Sequence, residues 1–234
     1  MTHVNLNEIG YKIFHLPNSN RHNLYKISNA YLSKHFDEID TPTIKISSLD
    51  EYFAFKKENK DFNLDPNGYN LDDKQGWKLG ELGIWASNFT AMKNFLNTDK
   101  KYLMLLEDDV LIDEGFVANL PSLMEELPDV WDLFSCFSPE NQSHKYSYSD
   151  SHGLVCPSYQ DWSMLCYILN RKSVKMILDH IKFEPVSLPL DWFYFRQPDK
   201  FKCYTVTPNS IILCSLMDAR STFQLDHPRE ILNA

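Results

Sequence analysis

The pattern of hydrophobic and polar positions is most distinctive around residues 100–113. An apolar run at residues 102–106 ends in three consecutive acids, Glu107, Asp108 and Asp109, after which the apolar pattern resumes. A short and wholly apolar run is typical of a strand that is buried on both faces of a sheet. Open α/β sheets bind ligands beyond the carboxyl ends of their strands. The three acids are therefore predicted at a ligand-binding edge.

The rest of the chain alternates between segments with the hydrophobic pattern of a strand and segments with the hydrophobic pattern of a helix. Strands are predicted at residues 11–16, 43–46, 102–106, 130–137, 163–169, 202–206 and 211–213. Helices are predicted around residues 24–32, after a capping box at 48–51, over 79–96, around 116–127 with a bend or restart at Pro121, and after an N-cap at Asn170. The opening order of strand, helix, strand and helix indicates crossover connections. The predicted fold class is α/β, with a single domain over residues 1–234 and a mostly parallel central sheet flanked by helices.

Two polar stretches interrupt this alternation. Residues 57–76 are rich in Lys, Asp and Asn and are predicted to form a surface excursion within the domain. Residues 138–153 are polar and without periodicity. A long loop of this kind in a compact domain is often an active-site cover, so a mobile loop is predicted there.

Composition narrows the partners that are expected. The 234 residues carry a net charge of −9 and are 43% hydrophobic, which is ordinary for a globular protein. The basic residues are scattered, so no nucleic-acid partner is expected. The five Cys residues form no C-x-x-C pair, the start of the chain lacks a secretory pattern, and no apolar stretch approaches a membrane span. These features predict a reduced, cytoplasmic protein without a membrane span.

Glu107 and Asp109 have the spacing of a metal-binding pair. Side chains at i and i+2 of an extended segment project to the same side, whereas Asp108 is expected to project to the other. Two carboxylates on one side suit a divalent cation, Mn²⁺ or Mg²⁺, that is shared with substrate phosphates. The alternative is that these acids cap the following helix or remain solvated.

Several segments occur in an order that is typical of one group of enzymes. They are Gly80-Glu81-Leu82-Gly83 with Ser87-Asn88, residues 105–110, Tyr167-Ile168-Leu169 with Ser173 and Leu178, Pro189-Leu190-Asp191-Trp192-Phe193, Pro208 with Ser221, and Leu16 with Ser19 and Arg21. Together they resemble glycosyltransferases of the GT-A fold, and more narrowly family 25, the lipopolysaccharide-biosynthesis-like transferases, and related viral enzymes. His15 stands where this family usually has Asn, and Asn88 where it often has His.

The resemblance implies transfer of a sugar from a nucleotide-diphosphate sugar, with a UDP-sugar favoured, to a hydroxyl of a glycan or glycoprotein acceptor. Donor binding is implied at His15, Leu16, Arg21, Glu81 and Glu107. Glu107 and Asp109 are implied as ligands of Mn²⁺ or Mg²⁺. A bound divalent ion would stabilise the charge that accumulates on the leaving nucleoside diphosphate.

Asp191 is the predicted general base, because an acceptor hydroxyl must lose its proton to a group within hydrogen-bond reach. It follows a proline-rich extended piece and precedes an aromatic turn. The alternative is that Asp191 is a helix N-cap, in which case Asp161 is the reserve candidate.

Two other functions remain open from the sequence. A nucleotidyltransferase would be expected to have a glycine-rich basic loop after its first strand, but residues 17–21 contain no glycine. A catalytically inactive glycan-binding or assembly subunit would retain the fold alone. Nucleotide binding with and without Mn²⁺ distinguishes these possibilities.

Overall fold

The computed structural model describes residues 4–68, 76–112, 114–137, 153–158, 164–207, 214–215 and 232. Within them a 3₁₀ turn at Leu6–Glu8 precedes the first strand. The strands are β1 (Ile9–Phe14), β2 (Asp37–Glu38), β3 (Tyr102–Glu107), β4 (Val110–Leu111), β5 (Leu133–Ser135), β6 (Val155–Pro157), β7 (Cys166–Asn170), β8 (Cys203–Val206) and β9 (Cys214–Ser215). The helices are α1 (His22–Leu32), α2 (Leu49–Glu58), α3 (Leu79–Leu96), α4 (Glu114–Glu125), α5 (Arg171–Phe183) and α6 (Leu190–Phe195).

In the described part of the chain, the central sheet has seven strands in the order β2-β1-β3-β7-β5-β8-β6. β1 pairs in parallel with β2 and β3, and β5 pairs in parallel with β8. β7 runs antiparallel between β3 and β5, and β6 runs antiparallel to β8. Five of the seven strands therefore share one direction, which confirms the predicted mostly parallel α/β sheet. β4 and β9 form a separate antiparallel pair.

The order of the strands reverses at β1. The chain leaves β1 towards β2 on one side and returns through β3 on the other. β1 and β3 end at the same level, because Phe14 lies opposite Glu107. The loops that follow two neighbouring parallel strands diverge at such a point, and the crevice between them is the usual ligand site of open α/β sheets.

The sheet separates two hydrophobic clusters. Leu103 and Leu105 of β3 pack on one side with α2, α3, α5 and α6, whereas Met104 and Leu106 pack on the other with α1 and α4. This alternation is the period of two that a strand imposes, and because both faces are covered, all four residues are apolar. The pattern accounts for the uninterrupted apolar run before the acids.

The structure differs from the predicted elements in several places. Residues 43–46 form no strand, because the side chain of α3 residue Ser87 bonds both the N–H (2.8 Å) and the C=O (3.3 Å) of Ile44 in place of a neighbouring strand. The predicted surface excursion is anchored at its start, where Phe62 and Leu64 are fully buried. α4 continues through Pro121 without restarting.

Several predictions fall outside the described residues. They are the strand at 211–213, the reserve base Asp161, and the mobile loop at 138–153 except for Gly153. Within the described part of the chain, no helix is long and apolar enough to cross a membrane.

Candidate active site

The three acids lie where β3 ends. Glu107 still belongs to the strand, and its N–H donates to the Leu165 carbonyl (2.9 Å). Asp108 and Asp109 form the tight turn between β3 and β4, a position that Asp favours. This turn breaks the alternation of an extended segment. The expectation that Asp108 projects to the side opposite Glu107 and Asp109 therefore does not describe the structure.

Arg21 joins the two turn residues. Its Nη1 lies 3.3 Å from Asp108 Oδ1 and 3.2 Å from Asp109 Oδ2. The loop after β1 delivers this side chain through a turn in which the Ser19 N–H donates to the Leu16 carbonyl (2.8 Å) and the Arg21 N–H donates to Ser19 Oγ (3.1 Å). The guanidinium is buried, so its pairing with the acids is only weakly screened by solvent.

Asp108 is bound at both carboxylate oxygens. Arg21 contacts Oδ1, and His15 Nδ1 lies 2.9 Å from Oδ2. His15 in turn contacts His22 Nδ1 through its Nε2 (2.9 Å) and stacks on Tyr25. Asp108 therefore holds surrounding side chains in place, and its oxygens are already engaged.

Asp109 and Glu107 are less well compensated. Asp109 Oδ1 is buried and has no hydrogen-bond partner in the part of the chain that the structure describes. Burial raises the pKa of Asp109, although Arg21 and the backbone N–H of Asp109 itself oppose this. Burial, and next the charge of Asp109, raise the pKa of Glu107 to about 7, with Arg21 again opposing. A buried carboxylate oxygen without a partner is costly, and a cation is the group that would compensate this pair.

The described side chains supply only part of the ligand shell of a divalent ion. No three His, Cys, Asp or Glu side chains among the described residues are grouped so as to hold a metal ion. Asp109 Oδ1 and the Glu107 carboxylate are the hard oxygen donors that Mn²⁺ and Mg²⁺ accept. Mg²⁺ sites commonly use one or two carboxylates and complete their shell with substrate phosphates and water. The residues fit an ion of that kind.

A pocket opens beside the acids. Arg21, Glu107 and Asp108 line one part of it, and apolar side chains that include Ile84 of α3 and Leu190 of α6 line another. The pocket thus combines a charged end with apolar walls, as ligand sites commonly do. It lies at the carboxyl edge of β1 and β3, where the strand order reverses.

Asp191 belongs to the same region. It is the second residue of α6 and follows Leu190, which lines the pocket. Burial raises the pKa of Asp191 to about 6, backbone N–H groups oppose this, and the charge of Glu81 adds to it. The charge of Asp191 also contributes to the raised pKa of Glu107, so the carboxylates influence one another. The N-cap itself is Pro189, and Asp191 Oδ1 accepts the Trp192 N–H (2.9 Å) within the first turn.

Three other residues of the resemblance have structural contacts. Glu81 Oε2 accepts the Lys78 N–H (2.9 Å) at the start of α3. Ser87 fixes the backbone of Ile44, and buried Asn88 accepts a hydrogen bond from the Tyr167 hydroxyl. These contacts account for polar residues on an otherwise apolar helix.

Comparison with known proteins adds little. No family model and no curated protein matches the sequence. Among solved structures, one match is the crystal structure of a glycosyltransferase involved in the glycosylation of the major capsid of PBCV-1, with a TM-score of 0.27 and 11% identity over 76% of this chain and 68% of that chain. A likeness this weak carries no functional information, so membership of family 25 stays a prediction.

His22 and Tyr25 are the site residues that sequence reasoning missed. Both lie in the first turn of α1, and both contact the ring of His15. The available signal was their spacing of three residues, which places them on one face of a helix that starts near the end of β1. That spacing alone does not say which face turns towards the acids.

Proposed function

We propose that this protein is a GT-A glycosyltransferase that moves a sugar from a nucleotide-diphosphate sugar to a hydroxyl of a glycan or glycoprotein. The observation that carries the proposal is the pair of undercompensated carboxylates, Glu107 and Asp109, at the point where the strand order reverses. Glu107 lines the pocket there, and Asp109 lies in the turn that follows it. The order of sequence segments described above adds the substrate class. A UDP-sugar is the favoured donor, and the cytoplasm is the proposed location.

The charge of the site explains why a cation belongs to the proposal. The chain has a net charge of −9, and its acids at this edge would repel a diphosphate. A divalent ion held by Glu107 and Asp109 would bridge the like charges. When bound, Mn²⁺ or Mg²⁺ supplies stabilisation of the negative charge on the leaving nucleoside diphosphate.

Arg21 is the cationic side chain of the pocket lining named above. It holds Asp108 and Asp109 in place, and its guanidinium is also of the type that binds phosphate oxygens through several N–H groups. In the proposed donor complex the guanidinium of Arg21 orients Asp108 and Asp109 and also binds the diphosphate. The backbone of Leu16, which accepts the Ser19 N–H, shapes the loop that delivers it.

Asp191 is the proposed base of the acceptor side. A carboxyl with a pKa of about 6 is mostly ionised at neutral pH, yet it is more basic than an ordinary aspartate. It can therefore take the proton of an acceptor hydroxyl that lies within hydrogen-bond reach. Its contact with the Trp192 N–H holds the carboxylate in one orientation.

Titration calorimetry with UDP and GDP, in Mn²⁺ and in EDTA, tests the proposal. Wild type is expected to bind UDP more tightly in Mn²⁺, and Asp109→Asn is expected to lose that difference. Asp179→Asn on the exposed face of α5 is the matched control, because it removes the same charge away from the site. Equal UDP affinity of wild type in both buffers would contradict the metal role.

A donor screen then distinguishes the classes of enzyme. Hydrolysis of a nucleotide sugar to sugar and nucleoside diphosphate supports a glycosyltransferase. Release of pyrophosphate from a nucleoside triphosphate would indicate a nucleotidyltransferase instead. Glycan binding without any nucleotide binding would indicate an inactive binding subunit.

A further inference from the structure

The imidazole of His15 is held from several directions. Its Nδ1 lies 2.9 Å from Asp108 Oδ2, and its Nε2 lies 2.9 Å from His22 Nδ1. One face stacks on Tyr25, with centroids 4.2 Å apart and an interplanar angle of 8°. The backbone N–H of the same residue donates to Thr43 Oγ1 (3.0 Å). Both ring nitrogens are therefore engaged within the protein, and the side chain is only 7% exposed.

The positions of the protons along the contacts from His22 through His15 to Asp108 follow from donor and acceptor chemistry. An ionised carboxylate only accepts, so Nδ1 of His15 carries a proton and donates to Asp108. The two ring nitrogens that face each other share one further proton. Either His22 donates to a neutral His15, or a doubly protonated His15 donates to His22. In both arrangements the Nδ1–H of His15 stays on Asp108.

We propose that His15, supported by His22, is a positioning residue that sets the geometry of the candidate metal-binding acids. His15 fixes one oxygen of Asp108, and the other oxygen fixes Arg21. The same Nη1 of Arg21 fixes Asp109 Oδ2, which leaves Asp109 Oδ1 as the oxygen without a hydrogen-bond partner among the described residues and available to a cation. The inference rests on the proposed function for the identity of that cation.

This role differs from the donor contact that the resemblance implied for His15. A ring with both nitrogens engaged and one face stacked offers no hydrogen-bonding group to a donor. His15 acts instead through Asp108 and Arg21. His22, at the start of α1, gains a function through its contact with His15.

Mn²⁺ binding without nucleotide, followed by the electron paramagnetic resonance signal of free Mn²⁺, tests the inference. Loss of a side chain that hydrogen-bonds a metal ligand directly typically weakens metal affinity by about 10–100-fold. His15 acts through Asp108 and Arg21, so His15→Ala is expected to weaken Mn²⁺ binding by about 10-fold, at the lower end of that range. His15→Asn keeps an N–H donor near the position of Nδ1 and is expected to restore most of the affinity. His22→Ala removes only the support behind the ring and is expected to give a smaller loss.

His35→Ala is the matched control. His35 also lies beside a tyrosine near the end of α1, but its ring contacts in the described part of the chain are with Tyr31 and Phe36. Its Mn²⁺ affinity is expected to equal that of wild type. Nitrogen NMR of the imidazoles adds a second readout, in which His15 Nδ1 is expected to be protonated and to shift in Asp108→Asn.

The outcomes separate this inference from the function on which it rests. Failure of wild type to bind Mn²⁺, both alone and in the presence of UDP, overturns the proposed function and, with it, this role of His15. If wild type binds Mn²⁺ only with UDP present, all variants are compared in UDP. Binding by wild type with unchanged affinity in His15→Ala overturns the inference alone. Equal losses in His15→Ala and His15→Asn, or an unprotonated Nδ1, would also overturn it. If His15→Ala does not fold, His22→Ala decides the question: a Mn²⁺ affinity below that of wild type supports the inference, and an affinity equal to that of wild type overturns it.

Discussion

Glu107 is expected to destabilise the fold when it is ionised, and Glu107→Gln is expected to relieve that effect. Burial and the neighbouring charge of Asp109 raise the pKa of Glu107 from 4.5 to about 7, even though Arg21 opposes them. A carboxyl whose pKa rises on folding binds its proton more tightly in the folded protein. Glutamine keeps the size of the side chain and removes its charge, so it isolates the ionisation.

The size and sign of the effect follow from proton linkage. A change in pKa from 4.5 to about 7 corresponds to about 3 kcal/mol, at about 1.4 kcal/mol per unit of pKa. Glu107 is only partly buried, so solvent is expected to reduce this to about 1–2 kcal/mol. Between pH 4.5 and about 7 the folded protein retains a proton that the unfolded chain has lost, and the free energy of unfolding falls as pH rises. The advantage of Glu107→Gln is therefore near zero at low pH and complete above the folded pKa.

Urea unfolding of both proteins at about pH 4, 6 and 8 measures this difference. The fluorescence of buried Trp77 and Trp85 reports the transition. Comparison at each pH removes the common contribution of Asp191, whose pKa is also raised, to about 6. Exposed Glu58→Gln on α2 is the control and is expected to change the free energy of unfolding by less than about 0.5 kcal/mol at every pH.

Two results would refute this reasoning. A difference of the same size at pH 4 and pH 8 would mean that packing or hydrogen bonding, and not ionisation, distinguishes the two side chains. A variant that is less stable than wild type at pH 8 would mean that Arg21 compensates the carboxylate fully. Addition of Mn²⁺ at pH 8 is expected to stabilise wild type more than Glu107→Gln, because the proposed ion binds the ionised form.

Three further predictions concern neighbouring residues. Asp109→Asn should abolish the Mn²⁺ dependence of UDP binding in calorimetry while the protein remains folded, and a retained dependence would exclude Asp109 as a ligand. Asp191→Asn should bind UDP almost normally but transfer sugar about 10²–10⁴-fold more slowly; loss of nucleotide binding as severe as that of Asp109→Asn, or unfolding, would make the contact with the Trp192 N–H its main role. Asn88→Ala should lower the free energy of unfolding in urea by about 1–3 kcal/mol, because it leaves the buried Tyr167 hydroxyl without its acceptor, and unchanged stability would contradict this.

Local sequence was sufficient where burial is uniform along an element. The helix predicted over residues 79–96 is α3, and the run at 102–106 is β3 with one added residue. Both elements are packed on nearly all sides, so their composition reflects their surroundings directly. The N-cap at Asn170 was also predictable, because its side chain accepts the Ser173 N–H (2.9 Å) three residues away and the interaction is wholly local.

Elements that depend on distant partners were not predictable in the same way. β2 has two residues, both exposed, and exists because it pairs with β1. Residues 43–46 carry the apolar and β-branched side chains of a strand, yet a hydroxyl from α3 satisfies the backbone of Ile44. The antiparallel direction of β7 is seen in its pairing with β3 and β5, which are separate segments of the chain. Pairing of this kind is decided by tertiary structure, which outweighs local propensity.

In the candidate site too, features that depend on local sequence were predictable, and contacts between distant segments were not. Sequence alone placed Glu107 and Asp109 at a strand end, because that inference needs only the apolar run before them. It did not place His22 beside His15, since that contact depends on where α1 docks. Ser28 in the middle of α1 donates its hydroxyl to the Val110 carbonyl of β4 (2.6 Å), just beyond the acids. This bond ties α1 to the segment that follows Asp109. A polar residue in the middle of α1 thus joins the helix to the strand that follows the acids, and only the folded structure shows this contact.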